Sequence, residues 1–199
     1  MDSCLPSKLL YFYFQYLVAT TTIITITCSA TRIQPNTQFI KTSCDVTMYP
    51  KLCFNTLSPY ATSIQNSPIN LASSALTVTL KAARSTLDAV SKLSKTSNLA
   101  PREASAITDC VENAEDSVDE LRQSLAAMKN LEGPEFEMKM NNLMTWVSAA
   151  LTDEDTCMDG FEGNAMNGKI KNYIVNVAQL TSNALALIKN LSSFQVYSP

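Results

Sequence analysis

Apolar residues along this chain recur at alternating spacings of four and three in four long segments, residues 71–93, 101–128, 136–151 and 170–191. This spacing places them on one face of an α-helix, because the helix completes a turn about every 3.6 residues. In the second segment the repeat runs through Ile107, Val111, Ala114, Val118, Leu121, Leu125 and Met128. In the fourth it runs through Ile170, Ile174, Val177, Thr181, Ala184, Ile188 and Leu191. The pattern predicts four amphipathic helices.

Short connections separate these four segments, and the whole chain contains only 4 glycines. Few glycines favour helices over turn-rich β structure, and short connections favour antiparallel neighbours. We therefore predict an all-α fold, an antiparallel up-down-up-down four-helix bundle over residues 70–192. Asn70 is the expected N-cap of the first bundle helix.

Two shorter helical segments precede the bundle, at residues 39–44 and 51–61. Pro50 separates them and is suited to the first position of a helix, where its missing N–H is not needed. The pattern predicts an N-terminal helical hairpin over residues 39–62.

The first 30 residues have the pattern of a secretory signal peptide. Lys8 precedes a run without charged residues from Leu9 to Ile26, and small residues end the segment at Ala30. A membrane anchor is the alternative, although several threonines dilute the run. With cleavage after Ala30, we expect a flexible arm at 31–38, a single domain at 39–195, and no membrane association of the mature chain.

Composition argues against catalysis. The chain has no histidine, the usual general base near neutral pH, and it has no glycine-rich phosphate loop. Its net charge of −3 gives no support for a nucleic-acid partner. We expect no enzyme activity, no catalytic residues, no cofactor, no metal and no small-molecule substrate.

The cysteines indicate an oxidising environment. Four follow the predicted leader, and an even number in a secreted chain is typical of disulfides rather than of a metal site. These are Cys44, Cys53, Cys110 and Cys157.

Several motifs around these cysteines resemble the plant invertase and pectin methylesterase inhibitor family. They are Thr-Met-Tyr-Pro-Lys-Leu-Cys at 47–53, Asp-Cys-Val-Glu at 109–112, Trp-Val-Ser-Ala-Ala-Leu at 146–151 and Asp-Thr-Cys-Met-Asp-Gly-Phe at 155–161. The resemblance extends over about residues 39–192. It implies a four-helix bundle with an N-terminal hairpin, and disulfides Cys44–Cys53 and Cys110–Cys157. It also implies a secreted, extracellular protein of the cell wall, or apoplast, that inhibits an enzyme by one-to-one docking.

The family has two main branches with different target enzymes. The stretches at 146–151 and 156–161 resemble the pectin methylesterase branch. Invertase inhibitors commonly carry Pro-Lys-Phe after the second bundle helix, where this chain has Pro-Glu-Phe at 134–136. We therefore expect pectin methylesterase as the partner, with cell-wall or vacuolar invertase as the alternative target. A structural or carrier protein without an enzyme target is the third hypothesis.

Glu112, Asp116 and Asp119 are spaced by four and three, so they share one face of the second bundle helix. From spacing alone, a solvated surface is the ordinary interpretation. The resemblance implies that these acids, with Asp159, face the substrate cleft of the esterase. That cleft holds polygalacturonate, a row of carboxylates that an acidic stripe could mimic.

Asn190 begins an Asn-Leu-Ser sequon near the end of the fourth helix and is a candidate glycosylation site.

Overall fold

Eight helical elements make up the part of the chain that this computed structural model describes, which comprises residues 35–96, 99–129, 131, 133–161 and 168–195. The predicted signal peptide at 1–30 lies outside the described residues. The elements are α1 (Pro35–Cys44), α2 (Pro50–Leu57), a 3-10 turn (Ser58–Tyr60), α3 (Ala61–Ile64), α4 (Pro68–Ser94), α5 (Pro101–Met128), α6 (Phe136–Asp159) and α7 (Gly168–Gln195).

Helices α4 to α7 form the predicted bundle. Each packs against the next along the chain, and α4 also packs against α7, which closes the ring of four. The predicted all-α fold is therefore confirmed. The seven residues of the predicted α7 repeat are all buried, from Ile170 at 7% exposure to Ile188 at 0%.

The buried face of α5 matches the predicted one at Ile107, Val118, Leu121 and Met128 and differs at three positions. Val111, Ala114 and Leu125 are only partly buried, whereas the buried set is Ala106, Ile107, Cys110, Ser117, Val118, Leu121, Ser124 and Met128. The helix is rotated so that Cys110 and two small hydroxyl residues point inward. The prediction followed apolar residues alone and therefore left out Ser117 and Ser124, which are buried.

Both disulfides implied by the resemblance are present. Cys44–Cys53 joins α1 to α2 with a Cα–Cα distance of 5.6 Å. Cys110–Cys157 joins α5 to α6 with a Cα–Cα distance of 4.4 Å. The second bond lies within a cluster of buried residues at one end of the bundle and holds the two helices together there.

Helix ends differ from the predictions in several places, including the three that follow. The N-cap of α4 is Ser67 rather than Asn70, because the Ser67 hydroxyl accepts the Asn70 backbone N–H at 3.2 Å. Helix α1 begins at Pro35, inside the predicted arm, since proline suits a first helical turn. Helix α6 continues to Asp159, eight residues beyond the predicted end, because the acidic stretch at 153–155 is helical.

Asn183 anchors the N-terminal hairpin to α7. Its side chain accepts a hydrogen bond from the Tyr49 N–H at 3.0 Å and donates one to the Tyr49 carbonyl at 3.1 Å. Asn183 is buried, so this reciprocal pair satisfies its amide inside the core. The turn that precedes α2 is thereby fixed against the bundle.

Candidate functional site

The three acids of the predicted stripe lie on the outward face of α5, and all three side chains are exposed. Asp119 accepts a hydrogen bond from the Arg122 guanidinium at 2.7 Å, and this ion pair lies at the surface. Among the described residues, Glu112 and Asp116 form no ion pair. The stripe therefore presents two carboxylates free of a basic neighbour and one that is partly neutralised.

Asp159 is the last residue of α6 and is exposed. The two helices run antiparallel, and a Cβ added to Gly160 would lie 4.0 Å from the Ala106 Cβ. Asp159 is therefore at the same end of the bundle as the start of the stripe, on the neighbouring helix. In the described part of the chain, no hydrogen bond or ion pair joins it to Glu112, Asp116 or Asp119.

A pair of carboxyl groups lies between α5 and α6 beside this stripe. Glu120 is hydrogen-bonded to Asp153, and burial together with the Asp153 charge raises the pKa of Glu120 to about 7. The pKa of Asp153 is also raised, first by burial, while the hydrogen bond from Glu120 opposes that rise. Two carboxyl groups can share a hydrogen bond only if one is protonated, and Glu120 is the one that keeps the proton.

The acidic surface extends from α5 towards α6 through this pair. Asp116 raises the pKa of both Glu120 and Asp153 by charge repulsion, which places it close to the pair. No pattern within one segment of the chain predicts this contact, since Glu120 and Asp153 belong to different helices. Antiparallel packing brings them together.

Glu154 occupies a core position of α6. Its side chain accepts hydrogen bonds from the Ser117 hydroxyl at 2.9 Å and the Thr181 hydroxyl at 2.8 Å. Burial raises its pKa to about 8, and the two hydroxyls only partly oppose that rise. The sequence does contain a signal, because Glu154 continues the buried series Met140, Leu143, Val147 and Ala150 towards Cys157.

The carboxyl groups of α5 and α6 are better suited to binding a partner than to catalysis. The exposed carboxylates can accept hydrogen bonds and pair with cations of a partner. Across the residues that the structure describes, no group of three His, Cys, Asp or Glu side chains could hold a metal ion. Within the same residues, no helix has the length and hydropathy needed to cross a membrane.

Comparison with known families identifies the chain. The model of the family "Plant invertase/pectin methylesterase inhibitor" matches residues 38–187. The chain belongs to this family. The match includes the hairpin, all four cysteines and most of the bundle, as the motifs around the cysteines predict.

Individual relatives agree with the family assignment. The chain is 48% identical over 172 residues to the "21 kDa protein" of Daucus carota, covering 83% of this chain and 89% of that protein. It is 43% identical over 189 residues to "Pectinesterase inhibitor 9" of Arabidopsis thaliana, covering 90% and 93%. The crystal structure of a mutant form of a pectin methylesterase inhibitor from Arabidopsis superposes with a TM-score of 0.65 at 22% identity. That superposition covers 75% of this chain and 95% of that one, and it shows a shared fold.

Asn190, the candidate glycosylation site, lies within α7 and is partly buried. Its use stays a prediction.

Proposed function

We propose that this protein inhibits a pectin methylesterase by docking one-to-one over the substrate cleft of the enzyme. The observation that carries the proposal is the exposed acidic stripe on α5 of a chain whose relatives include named pectinesterase inhibitors. The protein would act by occupying the cleft, with no chemistry of its own.

Charge mimicry explains how the stripe would bind. A pectin methylesterase acts on a galacturonate polymer and leaves free carboxylates along it, so its cleft must accommodate a row of acidic groups. Glu112 and Asp116 are exposed carboxylates one helical turn apart, about 6 Å along the axis. Asp119 continues the row but shares its charge with Arg122, so we expect it to contribute less than the other two.

Rigidity of the two helices would favour binding. The Cys110–Cys157 bond joins α5 to α6, and Asp159 follows that cysteine by two residues. A surface that is already held in its bound geometry loses less conformational entropy on association. We therefore propose that Glu112, Asp116, Asp119 and Asp159 act as one preorganised surface.

The cellular location and the limits of the inhibitor unit belong to the same proposal. Pectinesterase inhibitors act outside the plant cell, and the leader at 1–30 with two disulfides supports secretion to the cell wall. The inhibitor unit would comprise residues 39–195, with the hairpin at 39–62 and the bundle at 70–192.

Titration of the secreted protein against a pectin methylesterase and an invertase tests this function. We expect loss of esterase activity with an endpoint at one inhibitor per enzyme, and no loss of invertase activity. Inhibition of invertase alone would assign the protein to the other branch of the family. Inhibition of neither enzyme, by protein with native helicity, would contradict the proposal.

A further inference from the structure

A groove of about 610 Å³ runs between α4 and α5, on the flank of α5 that faces away from α6. Leu80 and Leu125 contribute apolar surface to its lining. Four basic side chains line it, namely Lys81 and Arg84 of α4, Arg122 of α5, and Lys129, the C-cap residue that follows α5.

The groove is positively charged although the chain as a whole carries a net charge of −3. Asp88 is the single acidic residue of its lining. In the described part of the chain, Lys81, Arg84 and Lys129 form no ion pair, and only Arg122 is paired, with Asp119. These exposed cations repel each other weakly, so clustering them here does not stabilise the fold. The cluster does favour binding of an anionic ligand.

The layout of the charges favours an extended ligand over a single anion. Arg122 and Lys129, the C-cap residue of α5, lie seven residues apart, about 10 Å along the helix axis. The cations therefore line a track and do not converge on one point, as the donors of a phosphate site would. No aromatic side chain is among the residues that line the groove, so it offers no platform for stacking nucleic-acid bases.

We propose that this α4–α5 groove binds a linear polycarboxylate, the demethylated galacturonan that a pectin methylesterase produces. The choice of galacturonan among polycarboxylates rests on the proposed function. The groove would bind free carboxylates through their charge. It would not bind methyl-esterified stretches, because these are neutral. The inhibitor would thereby be retained where its target enzyme has already acted.

This site is separate from the proposed docking face. The acidic stripe faces outward on α5 and extends towards α6, whereas the groove lies between α5 and α4. Arg122 and Asp119 form an ion pair at the border between the two surfaces. Galacturonan binding can therefore be measured without any enzyme, and its failure can be told apart from failure of the inhibitor function.

The test measures binding of the secreted protein to an unesterified oligogalacturonate of defined length by calorimetry at low salt. The variant Lys81→Gln/Arg84→Gln removes two cations of the groove. The control variant Lys51→Gln/Lys171→Gln removes two exposed cations elsewhere, on α2 and α7. Fully methyl-esterified oligogalacturonate and polyglutamate are the comparison ligands, and inhibition of the esterase is measured on every variant.

We expect wild-type protein to bind unesterified oligogalacturonate and to lose this binding in high salt. The groove variant should bind about tenfold more weakly, since each exposed charge pair contributes modestly, while the control variant should bind as wild type does. Binding of the esterified form should be undetectable, and esterase inhibition should be unchanged in both variants.

Several results would overturn the proposal. One is the absence of wild-type binding at low salt, and another is equal binding by the groove and control variants. Binding of the esterified form as tight as that of the free acid would also contradict it. Tighter binding of polyglutamate would indicate an acidic protein segment instead, and loss of esterase inhibition in the groove variant would assign the groove to the enzyme interface.

Discussion

The Ser117 hydroxyl donates a hydrogen bond to the Glu154 carboxyl at 2.9 Å inside the bundle, which links α5 to α6 through a buried acid. Thr181 of α7 lies 2.8 Å from the same oxygen, so three helices meet at one carboxyl group. The other oxygen of Glu154, Oε2, is buried and has no hydrogen-bond partner among the described residues. A negative charge in this environment would be poorly solvated, and the neutral form is favoured.

Glu154 should therefore make the bundle less stable as pH rises. The pKa of this group is about 4.5 in the unfolded chain and about 8 in the fold. Below both values the group is protonated in both states, and its contribution to stability is fully present. Between them the unfolded chain loses the proton and the folded chain keeps it, so the free energy of unfolding falls by about 1.4 kcal/mol per pH unit. The total loss by pH 8 is of order 4 kcal/mol.

Urea denaturation of wild type and Glu154→Gln across this pH range measures the effect. Glutamine cannot ionise, so the difference in unfolding free energy between the two proteins should change with pH in favour of the variant. The slope is the readout, because the variant also changes the hydrogen bonds to Ser117 and Thr181. A difference that stays constant from pH 5 to pH 8 would show that Glu154 is not held protonated.

Glu120 should titrate near neutral pH at the edge of the docking face. Burial and the Asp153 charge raise its pKa to about 7, so its proton is present below that pH and is lost as pH rises through it. The contribution of the Glu120–Asp153 hydrogen bond to stability disappears over the same range. Carbon-detected NMR should show the Glu120 carboxyl titrating near pH 7, and at lower pH in Asp153→Asn because that variant removes the neighbouring charge. A midpoint near the ordinary value of 4.5 in wild type would contradict the arrangement.

The rotation of α5 gives a matched test of the core. Val118 is 4% exposed, whereas Val111 is only partly buried. Val118→Ala should lower the free energy of unfolding by about 2 kcal/mol, because it removes buried methyl groups and leaves a cavity. Val111→Ala makes the same chemical change and should reduce stability by less than about 1 kcal/mol. Equal losses by chemical denaturation would mean that α5 is not rotated as described.

The repeat of apolar residues predicted the four-helix bundle and seven buried positions of α7. Four further residues of that helix are also buried, namely Ala178, Leu180, Asn183 and Leu187. The repeat was wrong for part of α5, because Ser117 and Ser124 are buried there while Val111 and Leu125 are not fully buried. Which serine is buried depends on the partner helix: Ser117 points inward towards Glu154 of α6, and periodicity within α5 carries no information about that residue. Periodicity also did not predict that Ser67 is the N-cap of α4, because that role depends on the local backbone conformation.

For the candidate surfaces, too, the sequence predicted some features and not others. Spacing alone placed Glu112, Asp116 and Asp119 on one exposed face, and the structure agrees with that placement. Spacing could not predict that Asp119 is paired with Arg122, that Glu120 meets Asp153, or that cations of α4 and α5 line one groove. Each of these features depends on side-chain conformation or on the register between two helices.

The most direct test of the proposed function is the inhibition constant of an acidic-face variant against a pectin methylesterase. Glu112→Gln/Asp116→Asn removes the two unpaired charges of the stripe without changing side-chain shape. Asp45→Asn/Glu137→Gln removes two exposed acids away from it and serves as the control. The stripe variant should inhibit at least about thirtyfold more weakly, because desolvated charges at an interface each contribute more than about 1 kcal/mol and two are removed. The control should match wild type. Equal inhibition by all three proteins, with native helicity and melting, would show that the stripe is only a solvated surface.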